Sequence, residues 1–332
     1  MANSKPISRR SLSIIGSGAW GSALAISLSE KFDTIYLIAQ DDDEVKSLGV
    51  QHNALNTPFS DNISITADLS RVTATEAILI AIPSYAFSEI LNKLSHYVLK
   101  QHFIAWATKG FDTPNSCFLH ETFESALPSH AACVISGPTF AMEIAKKKPS
   151  AIVVASRDNA TREYWATSIQ TKTLRAYTSE DIIGVEVGGS IKNILAIAAG
   201  VANGLGFGAN TQAAIITRGL AEMTRLGVAL GADKSTFQGL SGMGDLVLTC
   251  SDDLSRNRRF GKELAKNATI DEALDNVGGT VEGYNSLQLI LSMAHTKGIE
   301  MPICEQVLAV TEGEISPTNA VTELMLRKPS QE

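Results

Sequence analysis

Short apolar runs alternate with helical stretches through the first half of the chain. The segment 11–15 (SLSII) reads as a strand that passes through a glycine turn into a helix over 19–30. A second strand is predicted at 34–39 (TIYLIA). The continuous apolar run with a proline stop at 77–83 (AILIAIP) predicts a strand buried on both faces. Runs at 102–108 (HFIAWAT), 131–136 (AACVIS) and 150–156 (SAIVVAS) repeat the pattern. Strands spaced by helices in this way indicate βαβ units and a parallel sheet, hence an α/β, Rossmann-type, doubly wound domain.

The pattern changes near residue 185, after which helices are predicted at 190–203, 211–231, 257–267, 282–297, 302–312 and 317–327. The glycine-rich segment 200–210 (GVANGLGFGAN) separates the first two, as a hinge or as a tight turn with close backbone packing. The expected division is an α/β domain over 1–189 and an all-α domain over 190–332. At roughly 150 residues per domain, the length of 332 agrees with two.

Hydrophobic residues at 44% and charged residues at 19% exclude a disordered chain. The balance of 28 basic against 35 acidic residues, net −7, argues against a nucleic-acid partner or an anionic-membrane binder. A local basic pocket for one small anion remains compatible with it. Cys117, Cys133, Cys250 and Cys304 are scattered, which suggests neither a zinc site nor a disulfide framework and fits a reducing cytosol. The longest apolar stretch, Ile194–Ala202, is shorter than the ~18 residues of a membrane span, and MANSKPISRR has no apolar signal-peptide region. The expectation is a cytoplasmic enzyme or binding protein without stable membrane anchoring.

The clearest motif is Gly16-Ser17-Gly18-Ala19-Trp20-Gly21. It follows the first predicted strand and opens a predicted helix, the context a dinucleotide site requires. Gly16 permits the turn, Gly18 lets the backbone approach a pyrophosphate, and Gly21 allows the helix to pack on the sheet. An ordinary glycine-rich βα turn is the plain alternative. At the end of the second strand Gln40 stands where an acidic residue would contact the ribose of NAD; Asp41, one position later, could equally cap the next helix. The choice between NAD and NADP stays open on these residues.

Four further clusters stand out. Lys109 follows a predicted strand, whose carboxyl end faces the ligand crevice of an open α/β sheet. Gly137-Pro138-Thr139-Phe140-Ala141 also follows a strand and begins a helix, where free backbone N–H groups can face a nucleotide. Lys192 lies among Ile191, Ile194, Leu195 and Ile197; partial burial would favour its neutral form and bring it toward the range of a general base. A lysine that snorkels to water is the plain alternative. Finally, Asp245 opens an apolar run ending at Thr249, and Ser255-Arg256-Asn257-Arg258-Arg259 marks a helix start whose N-terminus and arginines suit phosphate, a solvated arginine face being the plain alternative.

The series GSGAWGSALA, IPS, WATKG, ISGPTFAMEI, VGGSIKN, GFGAN, TRGLAEM, GDLVLT, SRNRRFG and VEGY resembles bacterial NAD(P)-dependent sn-glycerol-3-phosphate dehydrogenases, in the correct order from about residue 12 to 325. The resemblance implies reversible hydride transfer between dihydroxyacetone phosphate and sn-glycerol 3-phosphate, the precursor of glycerophospholipids. It implies that Lys192 transfers the proton, with Lys109 and Asp245 beside it in catalysis. Gly137, Thr139, Thr249, Ser255, Arg256 and Asn257 would join these three at the substrate. Ala19, Trp20, Lys109, Ala141, Arg256, Thr280 and Glu282 match positions that touch the dinucleotide, beyond Gly16, Gly18, Gly21 and Gln40. A homodimer is compatible with such an enzyme, although composition does not select it.

Two departures matter. The loop reads GSGAWG where GAGSWG or GAGSYG is familiar, and Gln40 replaces the Arg or His of many relatives. A β-hydroxyacid or 6-phosphogluconate type of dehydrogenase would place Asn four residues beyond the lysine, where this chain has Ala196. A non-catalytic dinucleotide sensor has no need of Lys109, Lys192 and Asp245 together.

Overall fold

The computed structural model describes residues 10–49, 51–52 and 54–327. All of MANSKPISRR except Arg10 therefore lies outside the described residues. The strands are β1 (Ser11–Ile15), β2 (Thr34–Ile38), β3 (Gln51–His52), β4 (Thr57–Pro58), β5 (Ile63–Thr66), β6 (Ala77–Ile80), β7 (Phe103–Trp106), β8 (Ala132–Ser136), β9 (Ser150–Ala155) and β10 (Leu174–Ser179). Helices α1 (Ala19–Leu28), α2 (Asp42–Leu48), α3 (Phe87–Leu94), α4 (Leu119–Ala126), α5 (Ala141–Ala145) and α6 (Asn159–Ile169) intervene. After β10 the described chain is helical: α7 (Ile182–Gly204), α8 (Ala209–Ala229), α9 (Asp245–Ser251), α10 (Arg256–Leu264), α11 (Ile270–Val277), α12 (Glu282–Thr296), α13 (Pro302–Thr311) and α14 (Pro317–Met325).

The large sheet has the order β10-β9-β8-β7-β6-β1-β2-β5, and β1 pairs in parallel with both β2 and β6. Strand order reverses between β1 and β6, which is where an open α/β sheet leaves its ligand crevice. β6 and β8 are buried at every position, as expected of strands covered on both faces. β5 and β10 lie at the sheet edges, and their half-exposed sequences ISIT and LRAYTS lack the apolar runs that mark the other strands.

The chain forms two compact units. One runs up to Thr108 and adds His120–Ile135 and Thr139–Glu180. The other begins at Asp181 and takes in two excursions from the sheet, Lys109–Leu119 and Ser136–Pro138. A boundary at 189/190 would cut α7, which begins eight residues before the expected helix start at 190. The Asp181 side chain caps α7 by accepting from the Gly184 N–H at 2.8 Å.

The glycine pair Gly188-Gly189 obscures this early start, because glycine weakens a helix. Here glycine serves contact instead. A Cβ at Gly188 would lie 2.4 Å from the Ser241 carbonyl oxygen, and one at Gly200 would lie 2.0 Å from that of Arg258. α7 is long and apolar enough to cross a bilayer, with a mean hydropathy of 1.5, contrary to the expectation from the uninterrupted run 194–202. Yet 89% of that stretch is buried inside the protein, which makes it the core helix of its unit. The segment between α7 and α8 is a tight turn through Leu205–Gly208, with Gly206 at φ +85°.

α7 packs against α10 more extensively than any other pair of elements. Gly200 on α7 and Gly261 on α10, whose Cβ would lie 2.1 Å from the Ile197 carbonyl oxygen, set that approach. Gly200→Ala is expected to lower the unfolding free energy by about 1–3 kcal/mol in urea denaturation. Gly208→Ala, where a Cβ meets nothing within 4 Å, serves as the control and should change stability little. Equal stability of the two variants would contradict this account of the crossing.

Candidate functional site

The C-terminal unit gathers three charges from distant parts of the chain. Lys192 is brought by α7, Asp245 by the start of α9, and Lys109 by the first excursion from the sheet. Lys192 Nζ donates to Asp245 Oδ1 at 2.6 Å and to Thr249 Oγ1 at 3.0 Å. Lys109 Nζ donates to the other oxygen, Asp245 Oδ2, at 2.6 Å and to the Gly137 carbonyl at 3.1 Å. Asp245 is fully buried and Lys192 nearly so, while the Lys109 side chain keeps 18% of its surface exposed.

Local sequence explains how the carboxylate reaches this place. Leu240–Gly244 forms a π-type turn just before α9, a distortion frequent at functional sites. Gly188 lets the Ser241 backbone approach α7, and Thr249 Oγ1 donates to the Asp245 carbonyl one helical turn on, at 2.6 Å. The apolar run DLVLTC resembles a strand; its helical form depends on this packing.

Burial, which removes the ammonium from water, lowers the Lys192 pKa to about 8. The Asp245 carboxylate opposes that shift, and the Lys109 charge adds to it. Lys192 is therefore not a snorkelling lysine. Between pH ~8 and its ordinary value of 10.5 the unfolded chain holds a proton that the folded chain has released, so this group makes stability rise with pH there.

Other predicted residues lie around α10 and α12. Ser255 caps α10, accepting from the Arg258 N–H at 3.2 Å. Asn257 Nδ2 donates to Asn193 Oδ1 at 3.1 Å, and its own Oδ1 accepts from the Gly283 N–H at 2.9 Å. Asn193 was a missed residue, although a polar side chain beside Lys192 in an apolar helix was its signal.

The arginines of this segment separate by role. Arg258 is buried and paired with Asp253, and Arg259 donates to the Val277 carbonyl at 3.3 Å. Arg256, exposed like Arg259, lies beside Gly279; desolvation of its guanidinium draws its pKa down, Glu282 opposes that shift and the Arg259 charge adds to it. Thr280 is half-buried, and Glu282 is the first residue of α12.

The N-terminal unit carries the glycine loop. Gly16 has φ +108°, and a Cβ there would lie 2.4 Å from the Ala81 carbonyl oxygen; at Gly21 it would lie 1.8 Å from that of Gly16. Gly18 differs, since a Cβ on it meets nothing within 4 Å. The fold needs the outer two glycines, whereas the middle one leaves open space. Gly18 is also the N-cap of α1 and supplies no side-chain acceptor to the first turn.

Two buried polar atoms beside this cradle, Ser17 Oγ and Trp20 Nε1, have no hydrogen-bond partner. Uncapped N–H groups, a space that a Cβ would fill and unpartnered donors together fit a dinucleotide pyrophosphate. Ala19, Trp20 and Ala141 pack, partly buried, against the core of this unit, and half-buried Thr139 belongs to it as well. Gln40 is exposed at the end of β2, and Asp41 caps α2 by accepting from the Glu44 N–H at 2.8 Å.

A glycine cradle on a doubly wound sheet, with two lysines sharing one buried carboxylate on a helical unit, defines a dinucleotide-dependent dehydrogenase. Family models for the N-terminal and C-terminal parts of NAD-dependent glycerol-3-phosphate dehydrogenase match residues 11–162 and 181–322. The chain belongs to that family and is an NAD(P)-dependent oxidoreductase. It is 63% identical to the glycerol-3-phosphate dehydrogenase [NAD(P)+] of Ruthia magnifica over 97% of this chain and 99% of the relative. The enzyme of the same name from Vesicomyosocius okutanii is 60% identical over 96% and 98%. The crystal structure of glycerol-3-phosphate dehydrogenase from Coxiella burnetii superimposes with a TM-score of 0.92 at 38% identity, over 96% and 99%.

Asp245→Asn would leave two ammonium groups without their carboxylate. The expected loss of stability at pH 7 is about 3 kcal/mol. At pH 9.5 the loss should shrink, because Lys192 is then largely neutral in the unaltered protein. Urea denaturation at the two pH values checks this, and an equal loss at both would contradict the shared-carboxylate account.

Proposed function

We propose that Lys192, Asp245 and Lys109 carry out in this chain the reaction of glycerol-3-phosphate dehydrogenases, the interconversion of dihydroxyacetone phosphate and sn-glycerol 3-phosphate. The observation that supports this most directly is the Asp245 carboxylate held between two ammonium groups at 2.6 Å each. When bound, the nicotinamide supplies or receives the hydride. Lys192 Nζ gives a proton to the carbonyl oxygen in reduction and takes one from the C2 hydroxyl in oxidation. A pKa near 8 suits both directions, since neither protonation state is far from neutral pH.

Lys109 and Asp245 position that ammonium group and the substrate hydroxyl. The N-terminus of α10, with Ser255, Arg256 and Asn257, holds the phosphate, and Gly137, Thr139 and Thr249 complete the substrate contacts. Binding energy at the phosphate is thereby converted into orientation at the reacting carbon. Gly16, Gly18, Gly21, Ala19, Trp20, Gln40 and Ala141 cradle the dinucleotide, and Lys109, Arg256, Thr280 and Glu282 are the further positions that match the family's dinucleotide contacts. The product serves glycerophospholipid synthesis in the cytoplasm, a setting that suits four scattered cysteines with no C-x-x-C pair.

Oxidation of NADH or NADPH that depends on added dihydroxyacetone phosphate tests the activity. Lys192→Ala is expected to lose about 10²–10⁴-fold in turnover at saturating substrate. In the unaltered enzyme, reduction should slow as pH rises through about 8, while glycerol 3-phosphate oxidation should quicken over the same range. Near-normal turnover in Lys192→Ala, or parallel pH profiles in the two directions, would sink the assignment.

A further inference from the structure

The end of β2 carries a carboxylate that sequence spacing alone does not reveal. In a glycine-loop domain the 2′ position of the adenosine ribose is read at the end of the second strand. That end is tied to the loop here, for the Gly16 N–H donates to the Ile38 carbonyl at 2.9 Å. Gln40 follows, and its own N–H donates to a Glu44 carboxylate oxygen at 2.8 Å. Glu44 is thus folded back from the first turn of α2 onto the strand end. A carboxylate occupies a backbone donor at the strand end where the ribose is read.

The cations around this carboxylate do not replace it. Lys46, on the same helix, donates to Asp43 at 2.9 Å. Arg71 lies over the Tyr36 ring of β2 at 5.7 Å and pairs with Asp68 at 3.4 Å. His52 feels the Glu44 charge, but burial is the larger influence and holds its pKa below the ordinary 6.5. It is therefore neutral at pH 7, and its Nδ1 accepts from the Ala54 N–H at 3.2 Å. Asp41, Asp42 and Asp43 add charge of the same sign as Glu44.

We propose that Glu44, held on the Gln40 N–H, sets the cofactor choice: it accepts the ribose 2′-hydroxyl of NADH and repels the 2′-phosphate of NADPH. Glu44 is the specificity-determining residue, and Gln40 only presents the backbone that anchors it. This rests on the reading of the glycine loop as the dinucleotide cradle. A phosphate monoester brings close to two negative charges, so the discrimination is electrostatic and weakens with salt.

Isothermal titration of the full chain with NADH and with NADPH, at low and moderate salt, reads the preference without turnover. NADH is expected to bind at least about tenfold more tightly, with a gap that narrows as salt is added. Glu44→Gln, whose amide oxygen can still accept the Gln40 N–H, should narrow the gap about tenfold, chiefly by tightening NADPH. Equal binding by the unaltered chain, or an unchanged ratio in Glu44→Gln, overturns the proposal. Gly18→Ala separates the underlying reading: it should weaken both dinucleotides alike at unchanged thermal stability, because the added methyl meets only open space in the protein. Undiminished binding of both by Gly18→Ala would overturn the cradle, and the proposal with it.

Discussion

A single buried carboxylate organises the helical unit. Asp245 has no exposed surface, and a lone ionised carboxylate in such a place would cost several kcal/mol. It is tolerated because each oxygen accepts from a different lysine ammonium group. Meeting both lysines requires α7 to deliver Lys192, the first excursion from the sheet to deliver Lys109, and the π-type turn to deliver Asp245. The 240–244 turn can come so close only because residue 188 has no side chain. The backbone geometry of the unit is therefore bound up with the pairing of its charges.

The same dependence explains what was legible in the sequence. The inner strands β1, β2, β6, β7, β8 and β9 announce themselves as mainly apolar runs, because most of their positions are buried. The edge strands β5 and β10 have water on one side and no such run. α9 is hidden for the opposite reason: DLVLTC is apolar enough for a strand, and only its packing against α7 makes it helical. α11 had a readable start, since Thr269 and Glu272 form a capping box. Its short length kept that signal from standing out.

For the site, residue types were legible and connections were not. Lys109, Lys192 and Asp245 could be singled out as charges in apolar or ligand-facing positions. That one carboxylate would serve both lysines is a three-dimensional fact, spanning 136 and 53 residues of chain. The arginine run was read as one phosphate-binding group, whereas Arg258 is spent on Asp253 and Arg259 on a backbone carbonyl. Spacing along a helix cannot distinguish these fates; the neighbours of each face can.

Two lysines and one carboxylate also explain why the Lys192 pKa settles near neutrality. Burial and the Lys109 charge both favour the neutral amine. Acting alone they would draw the pKa lower still. The carboxylate acting alone would hold the ammonium charged beyond its ordinary pKa of 10.5, so that it could not release its proton. With both present, the cluster keeps one more positive than negative charge before transfer and is neutral after it. The desolvation cost of the extra charge is then returned when the proton leaves, while the remaining ion pair stays satisfied. A protein of net charge −7 thus holds a cationic cluster, suited to the proposed proton transfer, by concentrating two of its 28 basic residues around one buried acid.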